Sequence, residues 1–192
     1  MSRRRLPALA LLPALAAVLL AVCALGGCAA LGAGTDKPIG GPARAEEPSR
    51  VSIPSIGVDS PLIRLGLNED RTVQLPPADK GMTAGWFTGS VPPGTPGAAV
   101  IIGHDDPRDG KAVFHDLGRV TRGTAIDVRR GDGKVLRFSV TGTEKVAGNA
   151  FPARKVYGET KERALRLVTC AGDPHDDGHR TEKLIVYATL AP

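Results

Sequence analysis

Two short stretches hold residue types that could do nucleophilic chemistry. In LRLVTCAGDP, residues 165–174, an alternating Leu165, Leu167, Val168 run leads into Cys170. Ala171, Gly172 and Pro174 then predict that the strand ends at the thiol. In GTPGAAVIIGHDD, residues 94–106, an apolar run breaks off at Gly103-His104-Asp105-Asp106. A thiolate is the reactive form of cysteine, and an imidazole can take its proton and later give it to a leaving amine. Each strand carries its reactive side chain at its C-terminal end, so a sheet that sets those ends side by side would bring His104 to Cys170. Alone, a Cys and a His so far apart in sequence are a weak signal.

The position of the other cysteines sharpens the question. The chain opens MSRRRLPALALLPALAAVLLAVCALGGCAALGAG, with Arg3, Arg4 and Arg5 followed by no charged residue until Asp36. Positive charge ahead of a long apolar run is the pattern of an export segment, which holds its N-terminus inside while the rest crosses. Two fates are open for residues 1–34. The run is long enough to stay as a membrane helix, and Leu25-Gly26-Gly27-Cys28 resembles a lipobox, whose cysteine would carry a lipid. Either places the following residues on the extracellular face of the cell membrane. Cys23 and Cys28 both lie in this segment, which leaves Cys170 as the only thiol of the exported part, where no disulfide can form. A lone thiol in an oxidising compartment is either buried or used.

The elements that would position these residues are mostly strands. With 24 Gly, 16 Pro and 4% aromatic residues in 192, many short strands joined by turns are favoured over a helical bundle. Residues 35–49, TDKPIGGPARAEEPS, are Pro, Gly and charge without periodicity and predict a disordered tether. A single folded domain then runs from Arg50 to Pro192. Strands are predicted at 51–56, 72–76, 98–104, 124–130, 135–146, 165–170 and 184–190, with Asp132-Gly133 forming a two-residue hairpin turn. Short helical turns are predicted in AVFHDLGRV, 112–120, and GETKERAL, 158–165. The spacing suggests a barrel or a sandwich.

The formal charge of +5 suits a domain facing anionic wall polymers and lipid headgroups, although Arg3, Arg4 and Arg5 supply part of it. The export segment and the scarcity of aromatics argue against nucleic acid as a partner. His175 and His179 bracket Asp176 and Asp177, a spacing that could ligate a metal if the loop curled, but neighbouring Gly and Pro deny a helix and favour a polar loop. DDPRDG, 105–110, lacks the terminal Glu of a calcium loop, and His115 is read as structural.

Taken in order, these segments resemble the sortases, cysteine transpeptidases of the Gram-positive cell surface. VSIPSIGVDSPL with LGL resembles the family's opening strand, GWFTGSVPPGTPGAAVIIGHDD the segment ending in Gly-His-x-Asp, VFHDL the turn after it, and LRLVTCAG the Leu-x-Thr-Cys strand. The match spans nearly all of 50–192, and the Ile-Pro-x-Ile-Gly-Val-Asp, Gly-Trp-Phe and Thr-Cys-Ala-Gly stretches are similar to the actinobacterial classes E and F, nearer F.

The resemblance implies a mainly β barrel of about eight strands with short helices. It also implies Cys170 as nucleophile, His104 as acid–base partner and an Arg at the start of the last strand. Here GHRTEKLIVYA offers Arg180 slightly early and Lys183 as the alternative, and Arg180 is preferred because a guanidinium keeps its charge and offers a fork of donors. Asp106 could orient His104 or be a turn residue, and Thr169 could help line the oxyanion site or be an ordinary strand residue. Residues 149–163 correspond to the loop lining the peptide groove. The implied partners are secreted proteins with LPXTG-like sorting signals and a peptidoglycan-precursor amine, and neither metal nor organic cofactor is implied. Two other functions stay in view. An L,D-transpeptidase would need a Ser-x-Gly-Cys context that is missing, and a non-catalytic envelope lipoprotein would bury Cys170.

Overall fold

The computed structural model describes residues 44, 46–105, 112–147, 150–174 and 180–192, with the backbone alone over 170–174 and 180–181. The export segment 1–34 and most of the tether lie outside the described residues. Eight strands close into one barrel: β1 (Pro48–Ile53), β2 (Val58–Leu65), β3 (Ala84–Phe87), β4 (Gly97–Ile102), β5 (Ala125–Arg130), β6 (Val135–Ala147), β7 (Arg163–Pro174) and β8 (Arg180–Leu190). The order around the barrel is β1-β2-β3-β4-β7-β8-β6-β5, and pairing of β5 with β1 closes it. Among the described strand pairs, β2 with β3 and β4 with β7 run parallel and the others antiparallel. The predicted mainly β barrel of about eight strands with short helices is thus the fold observed.

Alternation along the strands decides what fills the barrel. Val51, Ile53, Ile101, Ile126, Phe138, Leu165, Leu167 and Val186 pack inward with Phe114 and Leu117 as one core. Strand β4 has no polar side and is buried along its whole length. Its other face, Val100 and Ile102, joins Val168 and Ile185 in a second cluster outside the barrel, capped by Val156 of the short helix α1 (Ala153–Tyr157). Burial on both faces explains why GAAVII reads as an unbroken apolar run.

The opening segment differs from the single strand its sequence suggests. A 3-10 turn at Pro54–Ile56 ends on Gly57, whose φ of 69° suits a residue without a Cβ, and the chain reverses into β2. Ordered structure also reaches further back than Arg50. Glu47 is buried and takes two bonds from Arg64 of β2 at 2.7 and 2.8 Å, while its carbonyl accepts the Gly131 N–H.

Residues 72–76 do not form the predicted barrel strand. The edge of β2 that they would need is already paired with β3, so they fold back locally, with one bridge from Val73 to Leu67 and the Gly66 N–H bonded to the side chain of Gln74. Pro76 and Pro77 then deny further ladder donors. In the β5–β6 hairpin only Gly133 has positive φ, and the connection is a three-residue loop with Gly133 at the left-handed position, not the two-residue type. The helical turn expected at 158–165 lies earlier, in α1, because Arg163 onward is drawn into β7 beside β4. The turn at 112–120 is present, with a 3-10 segment at Leu117–Arg119.

Candidate active site

The parallel pairing of β4 with β7 aligns the two chemistry-bearing stretches. Its last partners are Ile102 and Val168, after which the Gly103 N–H still bonds to the Val168 carbonyl at 3.2 Å. His104 lies two residues beyond Ile102, and Cys170 lies two residues beyond Val168. The backbone therefore leaves both at corresponding positions where adjacent parallel strands part. Strand β7 does not end at the thiol, since Cys170 and Ala171 remain paired with Lys183 and Glu182 of β8, and the irregularity comes only between Ala171 and Pro174. Cys170 is released on the β4 side and held on the β8 side.

The residues around His104 fix its backbone. A Cβ on Gly103 would lie 2.6 Å from Phe114 and 2.7 Å from Val113, so only glycine lets the VFHDL turn pack there. Phe114 N–H donates to the His104 carbonyl at 2.9 Å, and His115 Nδ1 lies 3.1 Å from the Asp105 carbonyl, to which it can only donate. His115 is thus structural in its contacts. The His104 ring is half-buried, and its Nε2–H donates to the Pro76 carbonyl at 2.8 Å.

These residues border a cleft of about 500 Å³. Ile102, Gly103, Val168 and the buried Thr169 line it from the barrel. The loop from Asn68 to Pro76 forms one wall, and Phe151 with Tyr157 forms another. Tyr157 packs edge-on against Phe87 with ring centroids 5.7 Å apart and stands 5.8 Å from the Phe151 ring. Burial pushes its phenol above the ordinary tyrosine pKa, so it stays a neutral group.

Lys183, directly opposite Cys170 in the ladder, also lines the cleft and carries its ammonium 5.0 Å from the Phe151 ring centre. Arg180 opens β8 opposite Pro174, beyond the irregularity. Asp106, His175 and His179 lie outside the described residues. Sequence reasoning passed over Arg71, Pro76, Phe151 and Tyr157 as individual cleft residues. The aromatic pair sits in the segment already expected to line a groove, whereas nothing local marks a turn arginine or a proline carbonyl.

Known proteins agree with this architecture. No curated protein matches the chain. Among solved structures, sortase C-1 from Actinomyces oris superimposes with a TM-score of 0.58 at 21% identity, covering 74% of this chain and 73% of that one. Sortase C from Streptococcus pneumoniae gives 0.59 at 24%, covering 79% and 69%, and a lid mutant of sortase A from Corynebacterium diphtheriae gives 0.58 at 24%, covering 78% and 73%. At such identities the likeness speaks for the fold. The model of the sortase domain matches residues 51–191, which takes in the second half of β1, all of β2 to β8 and both chemistry-bearing stretches. The chain belongs to the sortase family and is a sortase-type cysteine transpeptidase.

Proposed function

We propose that this enzyme cleaves an LPXTG-like sorting signal after its Thr and joins the acyl part to an amine, with Cys170, His104 and Arg180 as its catalytic residues. The Cys170 sulfur attacks the Thr carbonyl carbon, and a C–S bond forms. As the tetrahedral intermediate collapses, the C–N bond breaks and His104 protonates the departing amine. A second amine attacks the thioester, gives up a proton to His104, and the thiolate leaves. Arg180 and a backbone N–H stabilise the oxyanion at each stage. Thr169, which is buried and lines the cleft, is suited to line that site, and Asp106 has the role of orienting the histidine loop.

The observation that carries this assignment is the β4–β7 register, which leaves His104 and Cys170 at matching positions beyond the last paired residues. Secreted proteins supply the signal and a peptidoglycan-precursor amine accepts it. Residues 1–34 hold the enzyme at the cell membrane with its barrel outside, as a helix or through lipid on Cys28, a role supported by Arg3, Arg4, Arg5 and the apolar run. The Ile-Pro-x-Ile-Gly-Val-Asp and Thr-Cys-Ala-Gly stretches favour classes E and F, nearer F. Transfer of an LPXTG peptide to an added amine, followed by chromatography, tests the proposal. Product is expected from the full chain and none from Cys170→Ala or His104→Ala. Product formation by Cys170→Ala would overturn it.

A further inference from the structure

The chemistry above gives no task to two basic cleft residues, Lys183, which rests against the Phe151 ring, and Arg71, whose backbone is unusual. Arg71 is the only non-glycine residue with positive φ among those described, at 67°. In its turn the Asn68 N–H bonds to the Thr72 carbonyl at 2.8 Å, the Arg71 N–H to the Asn68 carbonyl at 2.9 Å, and the Thr72 N–H to Asp70 Oδ1 at 2.9 Å. The β5–β6 hairpin repeats this bond for bond. There Arg130 N–H bonds to the Lys134 carbonyl at 2.8 Å, Gly133 N–H to the Arg130 carbonyl at 3.0 Å, and Lys134 N–H to Asp132 Oδ1 at 3.0 Å. In that turn, which does not line the cleft, the left-handed position is a glycine with φ 84°. In the turn that does line it, the same backbone carries an arginine against local preference.

The surroundings of Arg71 leave its charge available. Its side chain is exposed and makes no ion pair with any described residue. Together with Lys183 it gives the cleft two basic residues and no carboxylate among the described residues that line it. Glu69 and Asp70 of the same turn are exposed and do not line the cleft, and Asp70 is bonded to Thr72. A guanidinium offers a planar fork matched to a carboxylate.

We infer that Arg71 is a specificity-determining residue, which pairs with a carboxylate of the incoming peptide. The enzyme then favours sorting signals carrying an acidic side chain within or beside the motif. This inference rests on the transpeptidase function proposed above and adds a substrate class to it. Because Arg71 is exposed, the preference is modest, about three- to fivefold in kcat/KM, and falls as salt is raised.

The test compares LPETG, LPQTG and LPKTG peptides, blocked at both ends so that no terminal carboxylate contributes, with the full chain and one amine acceptor. The acidic peptide is expected to be used best, the basic one least, with the gap narrowing in about 0.5 M salt. Arg71→Gly keeps the turn, because glycine suits its φ. It should bring kcat/KM for the acidic and neutral peptides to the same value, while Arg71→Glu should shift preference to the basic peptide. Equal use of acidic and neutral peptides by the unmodified chain, or a preference that survives Arg71→Gly, would overturn the inference. Turnover of no peptide at all would overturn the proposed transpeptidation itself.

Discussion

Gly103 shows how tightly the site is specified at the scale of single residues. Its missing side chain is the space that Phe114 and Val113 occupy, and the same backbone segment carries His104. Gly103→Ala must push that turn away or shift β4. Overpacking of this kind costs about 1–3 kcal/mol, so a clear fall in melting temperature is expected, with loss of turnover exceeding the loss of folded protein. Thermal denaturation beside a peptide-transfer assay checks both. The third catalytic position separates two cations that differ in chemistry and place. If Arg180 holds the oxyanion, Arg180→Ala should lower kcat by about 100- to 1,000-fold. Lys183→Ala, which removes a cation resting against Phe151, should cost about tenfold or less, mostly in KM. The reverse order would assign the oxyanion to Lys183.

At the scale of elements, the cleft wall formed by Phe151 and Tyr157 is only as firm as the anchoring of α1. That anchor is Glu144 of β6, which accepts the Tyr187 hydroxyl at 2.8 Å and the Lys155 ammonium of α1. Lys155 also stands 4.7 Å from the Tyr187 ring centre. The bond from Lys155, then that from Tyr187, holds the Glu144 carboxyl below its ordinary pKa. A carboxyl so lowered supports the folded arrangement above its unfolded pKa and loses that support as pH falls through the folded value. Glu144→Gln is therefore expected to raise KM for peptide about two- to fivefold at pH 7, with kcat within about twofold. The gap from the parent enzyme should close only as pH falls below the ordinary glutamate range, through the lowered value at which Glu144 itself takes up a proton. Steady-state kinetics across pH check this, and an unchanged KM at pH 7 would show that α1 is held by Val156 and the aromatic contacts alone.

At the scale of the molecule, the sequence discloses strands with regular patterning and hides relations between distant segments. Alternation made β5, β6 and β8 visible to within a few residues, and the break from apolar run to Gly-His marked the end of β4. Strand β2 escaped because Asp59 and Pro61 interrupt its pattern, and β3 because four residues are too few to show a period. The continued pairing of Cys170 with β8 was hidden for another reason. Gly and Pro after the thiol suggest an end, but β8, the next strand of the chain, turns back and supplies partners until Ala171. The site was legible as two residues and a motif order. The overhanging loop with Pro76 against His104 was not, since it depends on β2 being paired elsewhere.

The central claim is that Cys170 carries the acyl group, and intact mass spectrometry of the full chain tests it most directly. After incubation with an amidated LPXTG peptide and no added amine, the protein should gain the mass of the fragment ending in Thr. That gain should be absent in Cys170→Ala and reversed when an amine is supplied. An adduct that persists in Cys170→Ala, or transfer product formed while the Cys170 thiol can still be fully alkylated and no adduct is seen, would contradict it.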